Sequence, residues 1–184
     1  TYTQLGGYTL KHNGQNVAIS GAKKYAKDSS YIYFLFFVTD GTENCVGVYR
    51  GTVPLNSNSG VVYISLSFDV YFCNALVNGS TVPGLADYTR QGIGYIASTD
   101  QLLVPLTKKN VSIILVYDHA STATGTVSAN SNLSFRITSS TYPTLFEIEG
   151  CDETYGILYF NCNRKKSSSD IANDAVCFFK KYSV

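Results

Sequence analysis

The order of apolar and polar positions predicts β-strands along most of the chain. Residues 31–39 give the strongest signal, because nearly every position is apolar and the run ends at Asp40-Gly41. A strand with two apolar faces cannot meet water on either side, so a second sheet or another copy of the protein must cover it. Residues 45–53 and 61–70 are predicted to be the next two strands, and residues 61–70 alternate cleanly between apolar and polar positions.

Further strands are predicted wherever a short apolar or alternating run lies between turn residues. They cover residues 8–11, 111–117, 133–138, 145–149, 157–161 and 176–182. Within residues 133–138 the side chains alternate, so Phe135 falls on the apolar face and Arg136 on the polar face.

Three longer segments lack a clear strand pattern. Residues 13–29 are predicted to form a loop, and residues 71–109 an irregular connection with short apolar pieces at 95–96 and 102–106. Residues 169–175 are predicted to contain one helical turn. Eight or nine strands with almost no helix predict an antiparallel β-sandwich or barrel, and we expect the sandwich.

The composition is that of one folded domain. A chain of 184 residues with 45% hydrophobic content can bury a single core, so we expect one domain over residues 1–184. The net charge of +1 gives no field that would attract nucleic acid, so we expect no such partner. No apolar run approaches the roughly 18 residues that span a bilayer, so we expect no membrane insertion. Because the chain lacks Met, we expect a piece of a longer protein.

Cysteines and sequons give weaker signals. The five cysteines are Cys45, Cys73, Cys151, Cys162 and Cys177. We expect mainly buried free thiols, although Cys151 and Cys162 lie in or beside strand-like segments and are candidates to pair. The three N-glycosylation sequons begin at Asn78, Asn110 and Asn132. Such sequons arise by chance in a chain rich in Ser and Asn, so they are weak evidence for secretion.

Little in the sequence points to catalysis or to a metal. The two histidines, His12 and His119, are predicted to lie in turns, and no GxSxG elbow is present. The cysteines and histidines lack the spacing of a zinc site. Glu147 and Glu149 fall on one predicted strand face, as a glycosidase pair would, but a solvated outer face is the expected structure. We therefore expect no enzyme, no cofactor and no metal.

From residue 27 onward the order of segments is similar to that of a known protein family. The resemblance begins with Lys27-Asp28 leading into the apolar strand 31–39. It continues through CVGVYRGTV, VVYISLSFDV, GIGYIASTDQLLVP, VSIILVYDH, NLSFRITSS and the closing VCFFKKYSV. In order and pattern, over about 150 residues, these segments resemble the head of an adenovirus fibre. The Thr-Leu-Trp-Thr opening of mammalian virus heads is absent, and the polar insert 163–174 is longer than usual. These departures fit a divergent member, such as one from a non-mammalian host.

The resemblance implies an eight-stranded antiparallel sandwich that assembles as a homotrimer. Such a head attaches the virion to a host cell-surface receptor, either a protein or a sialylated glycan. It lies at the fibre tip on the virion surface, is made in the host cell and is assembled in the host nucleus. Residues 1–12 would then be the end of the shaft or the first strand. Free cysteines and unused sequons would also follow.

Two other functions remain open. One is a carbohydrate-binding adhesin or lectin-like β-sandwich outside this family, which a disulfide or occupied glycans would favour. The other is an enzyme, such as a glycosidase that uses Glu147 and Glu149.

Receptor-binding residues are predicted from exposure and from the mixture of aromatic and basic side chains. The first group lies in the predicted loop 13–29, the segment that the resemblance associates with receptor binding. It consists of Lys23, Lys24, Tyr25 and Lys27. The second group lies in the long connection and consists of Tyr88, Arg90 and Gln91.

Overall fold

The computed structural model describes residues 7–12, 14–19, 21–38, 46–56, 60–63, 70–73, 75–84 and 87–179. Within these ranges the chain is all-β, contains no α-helix and forms mainly antiparallel sheets. The strands are β1 (Tyr8–His12), β2 (Gln15–Asn16), β3 (Gly21–Lys27), β4 (Tyr31–Val38), β5 (Val46–Pro54), β6 (Gly60–Tyr63), β7 (Val70–Cys73), β8 (Leu76–Val77), β9 (Ser80–Thr81), β10 (Thr89–Arg90), β11 (Gly94–Ile96), β12 (Gln101–Lys108), β13 (Val111–Tyr117), β14 (Gly125–Ser128), β15 (Phe135–Thr138), β16 (Leu145–Thr154), β17 (Ile157–Lys165) and β18 (Asn173–Phe178).

Four sheets stack face to face with a hydrophobic cluster between each pair of neighbours. The first outer sheet has the order β2-β1-β6, and the first inner sheet the order β14-β7-β5-β4-β3. The second inner sheet has the order β10-β12-β13-β15, with β11 also paired to β12, and the second outer sheet has the order β16-β17-β18. The predicted sandwich therefore corresponds to the two inner sheets, and each inner sheet carries a further layer.

The two apolar faces of β4 are covered by two different sheets of the same chain. Leu35 and Phe37 are fully buried in the cluster between the inner sheets. Phe34 and Phe36 point the other way and pack with residues of the first outer sheet and its flank, including Leu10. The prediction that a second sheet covers this strand is confirmed, and no second copy of the protein is needed for it.

The second inner sheet forms the centre of the molecule and corrects the prediction for residues 71–109. Instead of an irregular connection, this segment contains β12, which is buried along seven of its eight residues. Leu102 and Val104 face the first inner sheet, whereas Leu103 faces the second outer sheet. Pro105 lies between the stretches of β12 that pair with β11 and β10, where that side of the strand has no ladder partner. A proline is tolerated there because no hydrogen-bond donor is needed.

Two further predictions are wrong because strand pairing overrides the local turn signals. The predicted loop 13–29 contains β3, which pairs with β4 through a bulge between Lys24 and Ala26. The predicted helical turn 169–175 ends in β18, and Asp170 instead accepts hydrogen bonds from Ser167 in a tight turn.

The predicted strand 61–70 belongs to two sheets. Its beginning, β6, lies parallel to β1, and its end begins β7, which pairs with β5. Residues 64–69, with their predicted alternation, lie outside the described residues. The predicted count of eight or nine strands was also too low, because eighteen are formed within the described ranges, many of them very short.

Buried hydroxyl groups join the second inner sheet to the second outer sheet. Ser112 Oγ donates to the carbonyl of Phe146 at 2.8 Å and exchanges a hydrogen bond with Thr107 Oγ1, also at 2.8 Å. The backbone N–H of Ile148 donates to both hydroxyl oxygens, at 3.1 Å to Ser112 Oγ and at 3.2 Å to Thr107 Oγ1. Since unpaired buried polar groups are costly, this network fixes the position of β16 over β12 and β13. No helix that could cross a membrane occurs in the described ranges.

Candidate functional site

Two surface grooves are candidates for a binding site. The first, named here the Arg136 groove, consists of two joined cavities of about 200 and 370 Å³. Both cavities share Pro83, Tyr88 and Arg136. The second, named the Lys23 groove, has a volume of about 310 Å³ and lies between β3 and the second outer sheet.

The Arg136 groove lies beside the edge strand β15, which supplies Arg136. Its apolar wall includes Val82 and Ile113, two buried members of the core between the inner sheets. The β8–β9 hairpin supplies the exposed residues Ser80 and Thr81 at one side. The turn between β12 and β13 supplies its basic residues and the amide of Asn110 at the other. Polar groups therefore surround an apolar floor, which is the usual construction of a small-ligand site.

An aromatic ring and several basic side chains dominate this groove. The half-buried Tyr88 ring lies 6.0 Å from Lys108 Nζ, within the range of a cation–π contact. Lys108 also forms an ion pair with Asp87 at 2.6 Å, and the hydrogen bond from Lys108 lowers the pKa of the Asp87 carboxyl. The Lys108 charge is therefore already compensated. The ammonium group of Lys108 lies over the Tyr88 ring, and both side chains line the groove.

Arg136 and Lys109 carry the charges that are not compensated. Both side chains are exposed, and neither makes a hydrogen bond or an ion pair within the part of the chain that the structure describes. A guanidinium presents a planar fork of N–H donors that matches a carboxylate in two parallel hydrogen bonds. The groove is thus chemically suited to an anion attached to a body that can lie against an aromatic ring.

The Lys23 groove differs in that its charged groups are already paired. Lys23 forms an ion pair with Asp152 across the gap between β3 and β16. Beneath this pair, β11 approaches β16 so closely that a Cβ atom on Gly94 would overlap the carbonyl of Cys151. The backbone N–H of Gly92 also donates to the carbonyl of Glu149 at 2.8 Å. These contacts are typical of a packing seam between sheets rather than of an open binding site.

The first predicted group does not form one surface. Its members belong to β3 rather than to a loop, so alternate side chains point to opposite faces. Lys23 and Tyr25 are half-buried, and the Tyr25 ring packs edge-on against Tyr33 and Tyr95 with centroids 6.1 and 6.2 Å apart. Lys24 and Lys27 are exposed.

The second predicted group separates in the same way. Tyr88 lies in the Arg136 groove, as described above. Arg90 belongs to β10, pairs with Leu106 of β12 and does not line either cavity of the groove. Gln91 donates through Nε2 to Glu147 Oε1 at 2.8 Å and is used within the fold.

The basic residues of the groove were missed, although the sequence carried a signal for each. Lys108 and Lys109 form a charged turn between two strongly apolar strands, and Arg136 was placed on the polar face of its strand. The apolar face of β15 is confirmed, because Phe135 and Ile137 pack into the cluster beneath the second outer sheet. What the sequence lacked was the connection between these segments, which only the pairing of β13 with β15 provides.

The paired carboxylates are held by amide side chains. Asn161 Nδ2 donates to Glu149 Oε2 at 3.2 Å, and Gln91 holds Glu147. Burial raises the pKa of Glu149, and the charges of Glu147 and Asp174 raise it further. His119 is exposed at a turn with a φ of 58°, as expected from its position. No group of three or more metal-binding side chains occurs in the described part of the chain.

All three sequons have a structural explanation. Asn78 and Gly79 have φ angles of 50° and 75° and make the tight turn between β8 and β9. The serines of the other two sequons are buried: Ser112 in the hydroxyl network and Ser134 as acceptor of the Val116 N–H at 2.9 Å. The sequons therefore carry no independent evidence for glycosylation.

The expectation of free thiols is only partly met. Cys151, Cys162 and Cys177 are free, but Cys73 is disulfide-bonded. Cys151 lies opposite Phe160, and Cys162 lies opposite Ile148, so the two candidate cysteines are not directly paired in register. No protein-family model matches this chain, and no curated protein matches it significantly.

Proposed function

We propose that this domain is a non-enzymatic attachment module that binds carboxylate-bearing glycans in the Arg136 groove. The observation that carries the proposal is the presence of two uncompensated cations, Arg136 and Lys109, beside the half-buried ring of Tyr88. Exposed cations with no partner are common on protein surfaces. Their position at a concave site with an apolar floor distinguishes these two.

Each part of the groove matches one part of such a glycan. The Arg136 fork suits the carboxylate of an acidic sugar. The ring of Tyr88 suits the apolar face of the sugar ring, since aromatic side chains combine a large contact area with little conformational freedom. The hydroxyls of Ser80 and Thr81 and the amide of Asn110 are placed to bond sugar hydroxyls. Sialylated glycans carry such a carboxylate and are among the receptors that the resemblance implies, so they are the first ligands to test.

In the setting suggested by the sequence, the module is the head of a viral attachment fibre and acts as a homotrimer. The all-β stack supports this setting in general terms. The apolar strand β4 no longer argues for a trimer, because sheets of the same chain cover it. Within the described residues, β17 and β18 present an uncovered apolar surface. There Ile157, Val176 and Phe178 are 36%, 77% and 57% exposed, and they form the surface that a trimer would bury.

A second candidate function, a secreted carbohydrate-binding adhesin, is favoured by the Cys73 disulfide. Disulfides form and persist in oxidising compartments and are rare in proteins that fold in the cytosol or nucleus. This candidate uses the same Arg136 groove but predicts a monomer. Light scattering on the purified domain separates the two candidates, because a fibre head gives three times the mass of one chain. Val176→Glu should reduce a trimer to monomers and leave a monomeric adhesin unchanged.

Glycan binding is tested by titrating the 15N-labelled domain with sialyllactose and, as a matched control, with lactose. We expect backbone shifts at residues 80–84 and 108–111 with sialyllactose alone. Because weak binding is typical of single sugar sites, the titration should extend to millimolar ligand. Equal shifts with both sugars, or shifts confined to another face, would contradict the proposal. A glycan array probed with the domain displayed on a multivalent carrier extends the test to other acidic sugars.

A further inference from the structure

Two cysteine sulfurs lie close together between β17 and β18. Cys162 is opposite Ala175 in the strand register, and Cys177 is opposite Phe160, so the two cysteines are diagonal neighbours. Both side chains point inward, toward the cluster between the second inner and second outer sheets. Their Sγ atoms are 3.9 Å apart. This is a van der Waals separation, about twice the length of an S–S bond.

Strand β18 has the freedom to close this gap. Within the described ranges it is the edge strand of its sheet and pairs only with β17. The segment that precedes it, between β17 and β18, is mostly exposed. A rotation of the Cys177 side chain, together with a small shift of an edge strand, costs less than a comparable movement in a central strand such as β12.

We propose that Cys162 and Cys177 form a disulfide when the chain matures in the presence of a disulfide donor. The reaction is two successive thiol–disulfide exchanges. One protein thiolate attacks the donor disulfide, forms a mixed disulfide and releases the first donor thiolate. The second protein thiolate then attacks the protein sulfur of the mixed disulfide and releases the second donor thiolate. The protein thiols lose two electrons and two protons in total, and the donor gains them as two thiols.

The surroundings of the two sulfurs set the order of attack. Cys177 is half-buried, whereas Cys162 is only 1% exposed. Burial raises the pKa of the Cys162 thiol, and the neighbouring Cys177 raises it further. The first exchange therefore takes place at Cys177, and Cys162 closes the bond from inside. The bonded Cys73 in the same chain indicates that the fold already includes an oxidised cysteine.

Cys151 is the internal control for this inference. It is also buried and free, and burial raises the pKa of its thiol to about 12. Cys151 belongs to β16 and Cys177 to β18. Both lie opposite Phe160 of β17, but on opposite sides of that strand. A central strand therefore separates Cys151 from Cys177. We expect Cys151 to stay reduced under conditions that oxidise the other pair.

The experiment is a thiol count and a disulfide map of the whole domain, secreted from eukaryotic cells and alkylated in denaturant without reductant. Of the three cysteines that are free in the described part of the chain, we expect only Cys151 to be alkylated. Trypsin cleaves at Arg164, Lys165 and Lys166, between the paired cysteines, so the disulfide should hold the two resulting peptides together until reductant is added. Chymotryptic cleavage after Phe160 separates Cys151 from Cys162 and assigns the bond.

Two variants identify which cysteines are alkylated and which are bonded. In Cys151→Ser neither Cys162 nor Cys177 should be alkylated, and in Cys177→Ser both Cys151 and Cys162 should be. A digest in which Cys73 is bridged while Cys162 and Cys177 are both alkylated overturns the inference. A crosslink between Cys151 and either of the other two cysteines overturns it as well.

Discussion

The Lys23 groove and the larger cavity of the Arg136 groove are similar in volume, but the two grooves differ in how their charges are used. In the Lys23 groove the ammonium group already has Asp152 as its partner, and two backbones approach closely beneath it. In the Arg136 groove, Lys108 is paired with Asp87, but Arg136 and Lys109 are not paired within the described residues. The Lys23 groove has a volume of about 310 Å³, and the larger cavity of the Arg136 groove has a volume of about 370 Å³. Volume alone therefore does not distinguish them.

From this difference we propose that uncompensated charge, rather than cavity volume, indicates where a ligand binds. A cation that is already paired can bind an anion only by giving up its present partner, so little free energy is gained. An unpaired cation in a concave site gains a charge-assisted hydrogen bond without that loss. We therefore expect substitutions in the Lys23 groove to change stability, and substitutions in the Arg136 groove to change ligand binding.

The largest expected effect is that of Gly94→Ala in the seam below the Lys23 groove. The added Cβ overlaps the backbone carbonyl of Cys151, so β11 and β16 must move apart. We expect the free energy of unfolding to fall by about 3 kcal/mol, which lowers Tm by roughly 6 to 12 °C. Gly21→Ala is the matched control, because its Cβ meets only ordinary contacts at 3.6 Å or more. Equal melting temperatures for the two variants, measured by calorimetry, would show that the seam is loosely packed.

Arg136→Ala should remove most of the binding to a carboxylated glycan. Loss of a charge-assisted hydrogen bond costs about 1.5 to 3 kcal/mol, so we expect Kd to rise roughly 10- to 100-fold. The Tm should be unchanged, since the side chain is exposed. Lys166→Ala, which removes an exposed cation between β17 and β18, controls for net charge. Both quantities can be measured by calorimetry, and similar Kd values for the two variants would place the site elsewhere.

Substitutions of Tyr88 should separate the ring from its hydroxyl. Tyr88→Ala removes the aromatic face, and we expect a loss of about 1 kcal/mol, or roughly a fivefold rise in Kd. Tyr88→Phe keeps the face and should stay within about twofold of the original Kd. The same sialyllactose titration measures both. If Tyr88→Phe binds as weakly as Tyr88→Ala, the hydroxyl rather than the ring makes the contact.

The smallest effect is expected for Lys23→Ala. Its side chain is 26% exposed and that of Asp152 is 46% exposed, so solvent screens the ion pair. We expect a loss of unfolding free energy of at most about 1 kcal/mol and no change in Kd for the glycan. Urea denaturation at low and at high salt measures the first quantity, and the loss should shrink as salt increases. A marked weakening of glycan binding would contradict the division between the two grooves.

The sequence predicted the fold class well but not the number of layers. The apolar run 31–39 correctly required cover on both faces, and residues 111–117 match β13 at both ends. The pattern could not say that β1 and β6, distant in sequence, would provide that cover by parallel pairing. Such non-local pairing leaves no local signature in the chain. For the same reason β12, interrupted by Pro105, was interpreted as short pieces.

The site was predictable only in part. Tyr88 was selected on its character alone, and it does line the groove. The group around Tyr25 lies on a strand instead of the predicted loop, and strand alternation divides its side chains between two faces. The cations of the Arg136 groove come from segments about thirty residues apart, so their meeting depends on the sheet register.

The first outer sheet also bears on how the domain can be handled. Tyr8, Leu10 and Val17 all precede the first inner sheet in the chain, yet they shield the aromatic side of β4. A shortened protein that starts at Gly21 would keep every strand of the two central layers but leave Phe34 and Phe36 open to solvent. We expect such a protein to aggregate and to express poorly, because a large exposed apolar surface favours self-association. The leading residues thus act as an essential cover for the fold rather than as a dispensable tail.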